Sequence, residues 1–284
     1  MIRKSLYGKG LILVATGMLL LTACRRTATD TNSLASLSED DKGYGADQAL
    51  IERENNDVIS MADAAAANGS AQLKGGLNEL SGCAVVTNDT LASPHVLTID
   101  FGNSPCTGID GRNRSGKIMV QYTGQYKDAG SQHTITYDNY VVNGNQITGS
   151  KTVTNMGMNN AGDYYYNIAV TDTLWSGTVA NNNGFRSWTS SRVRTWVSGY
   201  STGTRTDDSY DITGNATIRR INGHAFTVNI TSALRVAIGC PWIEQGTVEI
   251  TPQNGNVRTI DYGSGNCDSE ATLTVNNQTY HITL

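Results

Sequence analysis

The sequence predicts an all-β fold: one large antiparallel meander, a sandwich or a partly closed barrel, with one N-terminal amphipathic helix. Three observations lead there. From about Leu77 onward apolar residues recur at every second position, as in Ile118, Val120 and Tyr122, then Ile135 and Tyr137, then Tyr166, Ile168 and Val170, then Phe226, Val228 and Ile230. A period of two places one face of a strand on a core. Asn143-Gly144, Asn183-Gly184, Asn222-Gly223 and Asn254-Gly255 lie between such runs, and Asn-Gly supplies the positive-φ residues of a tight hairpin turn. No helical crossover separates the runs, so consecutive strands pair antiparallel. Composition agrees: charged residues make up 16% and glycine numbers 30, which suits short strands and turns better than helices rich in Glu, Lys and Leu. Roughly a dozen strands are expected, in a sheet long enough that it must twist and curl.

The elements follow in order. Arg3, Lys4 and Lys9 precede an apolar run from Leu11 to Leu21, and small residues follow. This is the layout of a secretory signal over residues 1–23, with a run shorter than the about 20 residues that span a bilayer. Leu21-Thr22-Ala23-Cys24 resembles a bacterial lipobox, in which a diacylglycerol is attached to the cysteine and the leader is removed, so lipidation is expected at Cys24. Residues 24–45, rich in Thr, Ser, Asp and Asn, read as a flexible tether. From Ala46 the pattern becomes helical: Leu50, Ile51, Val58, Ile59 and Met61 recur among Glu52, Arg53, Glu54 and Asp57, and Asn68-Gly69 supplies a stop. An amphipathic helix is therefore expected over 46–69, followed by the β domain over 70–284.

An internal duplication selects the disulfides. Gly82-Cys83 is followed by Thr98-Ile99-Asp100-Phe101-Gly102 and Cys106; Gly239-Cys240 is followed by Thr259-Ile260-Asp261-Tyr262-Gly263 and Cys267. Each copy reads as a hairpin with a cysteine at each end of its open side, turning at Asp89–Pro94 in one and Thr251–Asn256 in the other. Opposed antiparallel residues lie about 4.5 to 5.5 Å apart, within disulfide reach. The expected bonds are Cys83–Cys106 and Cys240–Cys267, which an exported, oxidising context permits. Asp100 and Asp261, equivalent by duplication, are expected to bond the backbone beside the disulfides.

The stretch Asp110 to Gly157, with Gly111-Arg112-Asn113-Arg114-Ser115-Gly116-Lys117-Ile118, Tyr122-Thr123-Gly124-Gln125-Tyr126 and Asn139-Tyr140-Val141-Val142-Asn143, resembles uncharacterised β-rich bacterial lipoproteins of Bacteroidota type. The resemblance extends over the exported portion. It implies lipidation and a β fold, and it implies no known activity.

Candidate chemistry is sparse. His95, His133, His224 and His281 stand apart from one another and from the cysteines, without metal-ligand spacing. No G-x-S-x-G or H-E-x-x-H motif occurs. Asp207, Asp208 and Asp211 cluster near a turn, but two carboxylates at a controlled separation are what glycoside hydrolysis needs, and sequence spacing shows no such pair. Asp110-Gly111-Arg112-Asn113-Arg114 lacks the carboxylate spacing of a calcium loop and reads as a solvated loop. Trp175, Trp188, Trp196, Tyr164 and Tyr166 are the candidate ligand-binding residues, because flat rings on a sheet face stack on sugar rings; alternating aromatics in strands also pack cores.

The formal charge is −4. Removing residues 1–23 takes away Arg3, Lys4 and Lys9 and leaves −7, which argues against nucleic acid. The expectation is a lipid-anchored envelope protein with a non-enzymatic structural or binding role, without cofactor or metal. The alternative is a cell-surface carbohydrate-binding or adhesin module. Partners are the membrane, through the anchor, and an envelope protein or glycan. Arg25-Arg26 stand after the cysteine where an inner-membrane aspartate or a surface-export acidic run would be, which points to the periplasmic face of the outer membrane, with the cell surface as the alternative.

Overall fold

A computed structural model describes residues 37–68, 83–108 and 110–284; Cys24, the signal segment and residues 69–82 lie outside them. One helix, α1 (Glu39–Asn68), precedes fourteen strands. The first group is β1 (Val85–Asp89), β2 (His95–Asp100), β3 (Cys106–Thr107), β4 (Asn113–Tyr122), β5 (Gln132–Val142) and β6 (Asn145–Met158). The central strands are β7 (Tyr164–Gly177), β8 (Asn182–Ser198), β9 (Ser209–Arg220) and β10 (Ala225–Ala237). β11 (Ile243–Pro252), β12 (Arg258–Ser264), β13 (Glu270–Val275) and β14 (Gln278–Thr283) complete the chain. They form a single antiparallel sheet in which sequence neighbours pair throughout, apart from short β3, which pairs β4 while β2 reaches β4 directly. The all-β meander with one helix is thus the observed class, as an open sheet whose outermost strands are β1 and β14.

The helix starts earlier than its apolar spacing indicates. Ser38 caps it: its hydroxyl oxygen accepts the Asp41 N–H at 3.1 Å, and its O–H donates to the Asp41 carboxylate at 2.5 Å. A serine followed three residues on by an acid satisfies the first free N–H groups of a helix. Residues 39–45 are therefore helix and not tether, and the rest of the expected tether, 24–36, lies outside the described residues.

This helix is nearly enclosed. Ile51, Val58, Ile59, Met61, Ala62 and Ala65 are buried, and so are its polar residues Asp47, Gln48, Glu52, Glu54 and Asn55. Among its described side chains, exposure is confined to a stripe that includes Asp40, Ala46 and Arg53. Partners come from β4, β6, β8, β9 and β12. Laid flat, strands from β4 to β12 would span about 38 Å at 4.8 Å per step, whereas a helix with side chains is about 10–12 Å wide. The sheet must therefore curl around α1, and its inner face meets the helix from several sides.

Two rims result. The near rim carries the start of α1, where Asp41 and Asp47 meet Arg258 and Arg220, together with the turns that close β5–β6, β7–β8, β9–β10, β11–β12 and β13–β14. The far rim carries Asp63 of α1 against Arg194, at the end of β8. The turns behave largely as expected: Asn143-Gly144, Asn222-Gly223 and Asn254-Gly255 lie between strands. Asn183-Gly184 does not. It lies inside β8, and Thr178 and Asn181 close the β7–β8 turn through paired backbone bonds. A further turn, Asn276-Asn277, has φ of 53° and 61°, so asparagine alone supplies the left-handed pair.

Glycines inside strands let the sheet bend this tightly. Gly149 in β6 and Gly214 in β9 have φ of 123° and 117°. A Cβ on either would overlap a carbonyl oxygen of the neighbouring strand, Thr171 and Ser191 respectively. Strand-interior glycine commonly marks such bends. Gly214→Ala is expected to destabilise the domain by about 2 kcal/mol or more, since forbidden φ and close approach act together; a urea midpoint equal to wild type would refute this.

The cysteines pair as the duplication indicates. Cys83–Cys106 and Cys240–Cys267 are disulfides, with Cα separations of 6.0 and 5.7 Å. Their placement differs from the expectation in one respect: they do not oppose each other across a hairpin ladder. Cys83 precedes β1 and Cys106 lies in β3, while Cys240 and Cys267 occupy the loops flanking β11 and β12. The first bond closes the near rim and the second the far rim. Asp100 and Asp261 do bond the backbone, accepting the N–H of Gly102 at 2.8 Å and of Gly263 at 2.9 Å.

Candidate functional site

The chemistry of this molecule is concentrated between α1 and the inner sheet face. In β8 the inward positions read Arg186, Trp188, Ser190, Arg192, Arg194 and Trp196, while Ser187, Thr189, Ser191, Val193 and Thr195 alternate with them. An inner face holding arginines needs acids opposite, because an unpaired buried charge costs several kcal/mol. The helix provides them. Asp47 receives both Arg186 and Arg220, Glu52 receives Arg192, and Asp63 receives Arg194 at 2.8 Å. Asp41 holds Arg258 at 2.5 Å.

A second knot forms where the β3–β4 connection meets mid-helix. Arg114, wholly buried, reaches Asp57 at 2.9 Å and Asp110 at 2.5 Å, and Arg112 joins Glu54 and Asp57. In the segment 110–114, expected to be a solvated loop, Asp110, Gly111 and Asn113 are exposed, but Arg112 and Arg114 turn inward and anchor it to the helix. Burial raises the Glu54 carboxyl above its ordinary value, with Arg112 opposing this only in part. Burial likewise pushes Asp110 up, but the hydrogen bond and charge of Arg114 outweigh it, and the net shift is down. In β6, Lys151 is bonded to Asn55 of the helix at 2.5 Å and to buried Asp172 of β7, and lies 5.5 Å from the Trp188 ring centroid.

Aromatic rings seal both ends of this interior. At the near rim Tyr44 stands edge-on to Phe226 at 5.0 Å, with the Arg220 and Arg258 guanidinium carbons 4.4 and 4.8 Å from its centroid. At the far rim Tyr126 stacks on Tyr166 at 4.5 Å, Arg194 lies 3.5 Å from the Tyr210 ring, and Lys127 lies 4.7 Å from that of Trp196. Such cation–aromatic contacts strengthen once desolvated.

The five aromatic candidates do not form one platform. Trp188, Trp196 and Tyr166 are buried, at 2%, 6% and 0% exposure; they pack the core and leave no ring face free for a sugar. Tyr164 and Trp175 are part-exposed but sit on opposite rims, at the two ends of β7. Trp175 donates its indole N–H to Thr148 at 3.0 Å. Of the acids, Asp211 pairs with Arg235 at 2.5 Å and Asp208 accepts the Trp196 indole N–H at 3.2 Å. Among the described residues one grouping of ligand-type atoms occurs, Cys240, Glu244 and Cys267, and its two sulfurs are joined as a disulfide.

Of the histidines, His95 opens β2, and His133 is buried in β5 between Tyr122 and Tyr126. Burial lowers the His133 pKa from its ordinary 6.5, the nearby Asp63 opposing. A base with a lowered folded pKa binds its proton more weakly when folded than unfolded. Its contribution is therefore complete above pH 6.5 and is lost as pH falls from 6.5 toward the folded value. His133→Phe is expected to remove that part of the acid sensitivity between pH 6.5 and 5; chemical denaturation at both pH values measures it, and an unchanged pH slope would exclude the effect.

The helix–sheet ion pairs escaped the sequence reading, which assigned the helical acids to a solvated face. The available signal was the period-two run of arginines interleaved with tryptophans in β8. The chain matches no protein-family pattern, no curated protein and no solved structure in the comparisons made. Among the described residues no helix is long and apolar enough to cross a membrane.

Proposed function

We propose that this chain is a lipid-anchored envelope protein with a non-enzymatic structural or binding role, held by Cys24 at the outer membrane with its β domain on the periplasmic face. The reading rests on what the buried charged groups touch. Asp47, Glu52 and Asp63 each meet a cation of the sheet and Glu54 meets Arg112 of the β3–β4 connection, so these buried acids are engaged in holding the helix. Catalytic carboxylates work by facing a substrate with a tuned pKa; these face arginines. Two disulfides support an oxidising compartment, and the resemblance to β-rich bacterial lipoproteins, together with the lipobox-like Leu21–Cys24, supports the anchor.

The test is metabolic labelling with an alkyne fatty acid followed by mass spectrometry of the membrane fraction. The expected product begins at diacylated Cys24, and Cys24→Ala releases an unlabelled chain into the soluble fraction. A mature chain that keeps residues 1–23, or carries no lipid, would refute it. A glycan array is expected to give no hits; specific capture would favour the carbohydrate-binding alternative.

A further inference from the structure

The two rims differ in the chemistry of their hairpin turns, although the near rim also carries exposed Asp40 at the start of α1 and exposed Asp110 in the β3–β4 connection. The near-rim turns at 143–144, 178–181, 221–224, 253–257 and 276–277 contain no Asp, Glu, Lys or Arg; they read Asn-Gly, Thr-Val-Ala-Asn, Ile-Asn-Gly-His, Gln-Asn-Gly-Asn-Val and Asn-Asn. The far-rim turns hold five aspartates, Asp163 and Asp268 among them, against two cations, Lys127 and Arg205. Three consecutive near-rim turns each expose an apolar side chain: Val179 at 47%, Ile221 at 58% and Val257 at 44%. Turns two strands apart are about 10 Å from each other along a rim. Trp175 and Phe185, 5.4 Å apart between centroids, flank the first of them. The guanidinium groups behind these tips, of Arg186, Arg220 and Arg258, turn inward to Asp47 and Asp41, and exposed Arg219 stands on the outer wall just below Ile221.

The helix also begins at this rim. Leu37 is 13 residues from Cys24, a length of chain that spans at most about 45 Å. A lipid on Cys24 therefore tethers the domain by its near-rim end, the rim that lies nearest to the anchor along the chain. We propose that the near rim is a membrane-resting surface, with Val179, Ile221 and Val257 entering the headgroup boundary of a phospholipid layer. The proposal rests on the lipid anchor at Cys24. Uncharged Asn-rich turns can stay hydrated among headgroups, Trp175 suits the interface, and Arg219 can reach lipid phosphates. The acidic far rim faces away from anionic lipid. Three half-exposed apolar side chains bind lipid weakly alone, but a tether makes their insertion intramolecular, so a weak contact is populated. Leu91, Met156 and Met158 are exposed at the far rim, on the side carrying the aspartates, and they are not part of this surface.

The test uses the full lipidated chain, reconstituted in phosphatidylcholine vesicles. One cysteine is introduced at Val179 or, on the far rim, at Leu91, which is 97% exposed, and is labelled with an environment-sensitive dye. The dye at 179 is expected to shift to the blue and to be quenched by spin-labelled lipid. The dye at 91 stays water-like. Ile221→Asp with Val257→Asp abolishes the shift at 179 while the protein still floats with the vesicles. A water-like signal at 179, or equal signals at both sites, in protein that co-floats would overturn the membrane-resting surface alone. Wild-type chain that does not co-float would overturn the anchor, and this proposal with it.

Discussion

Replacing Arg192 by methionine is expected to destabilise the domain by about 3 to 5 kcal/mol, the cost of leaving one charge of a buried pair uncompensated. Arg192 and Glu52 have side chains only 5% and 2% exposed, so the Glu52 carboxylate would keep just the Gln48 amide, at 3.4 Å. The second half of the prediction is more diagnostic. Glu52→Leu combined with Arg192→Met should recover most of the loss, since two apolar groups of similar length replace a pair whose arginine leaves Nε and Nη1 without partners. Replacing a buried pair by packed apolar groups is often neutral or stabilising. Lys117–Asp100 is the control: a pair of the same kind on the outer face, 41% and 35% exposed, for which Lys117→Met should cost under about 1 kcal/mol. Urea unfolding of the three variants beside wild type reads all of this, and similar losses at 117 and 192 would show that the interior pair is not desolvated.

Removing the far-rim disulfide by Cys240→Ser with Cys267→Ser is expected to cost about 3.5 kcal/mol. The bond spans 27 residues, and constraining a loop of that length in the unfolded chain gives this value on the chain-entropy estimate. The near-rim bond, spanning 23 residues, should be worth about the same on that estimate, but its loss should also fray β1, an edge strand held only through β2. Amide exchange separates the two effects. Loss of Cys83–Cys106 should speed exchange in β1 selectively, whereas loss of Cys240–Cys267 should lower global stability without a matching local effect. Undiminished stability in both variants would contradict the reading of the disulfides as clips.

Much of the fold was legible because its determinants are local. Alternation in β4, β7 and β10 and three of the four Asn-Gly pairs are read within a few residues, and the duplicated Thr-Ile-Asp-aromatic-Gly fixed the disulfide partners and foresaw the backbone bonds of Asp100 and Asp261. The interior was not legible for the opposite reason. Whether Glu52 faces water or Arg192 depends on a contact across 140 residues, and helical periodicity assigns charged residues to solvent by default. The same default misread Arg112 and Arg114 as solvated. Asn183-Gly184 failed differently: Gly184 has φ of 148°, and the pair is accommodated within β8 while the neighbouring Thr178–Asn181 turn reverses the chain. The aromatic candidates failed because period-two rings are equally frequent on inner faces, where Trp188, Trp196 and Tyr166 lie.

The central claim is that α1 is a permanent part of the core, locked by its acids to the inner arginines. Native-state hydrogen exchange of the intact protein tests it most directly, since it reports which elements open together. The slowest amides of α1 around Ile51–Met61 are expected to exchange only through global unfolding, with the same free energy as those of β8. Exchange of the helix at markedly lower free energy than the sheet would contradict the account, and would mean that the arginine-lined interior opens to solvent in the native protein.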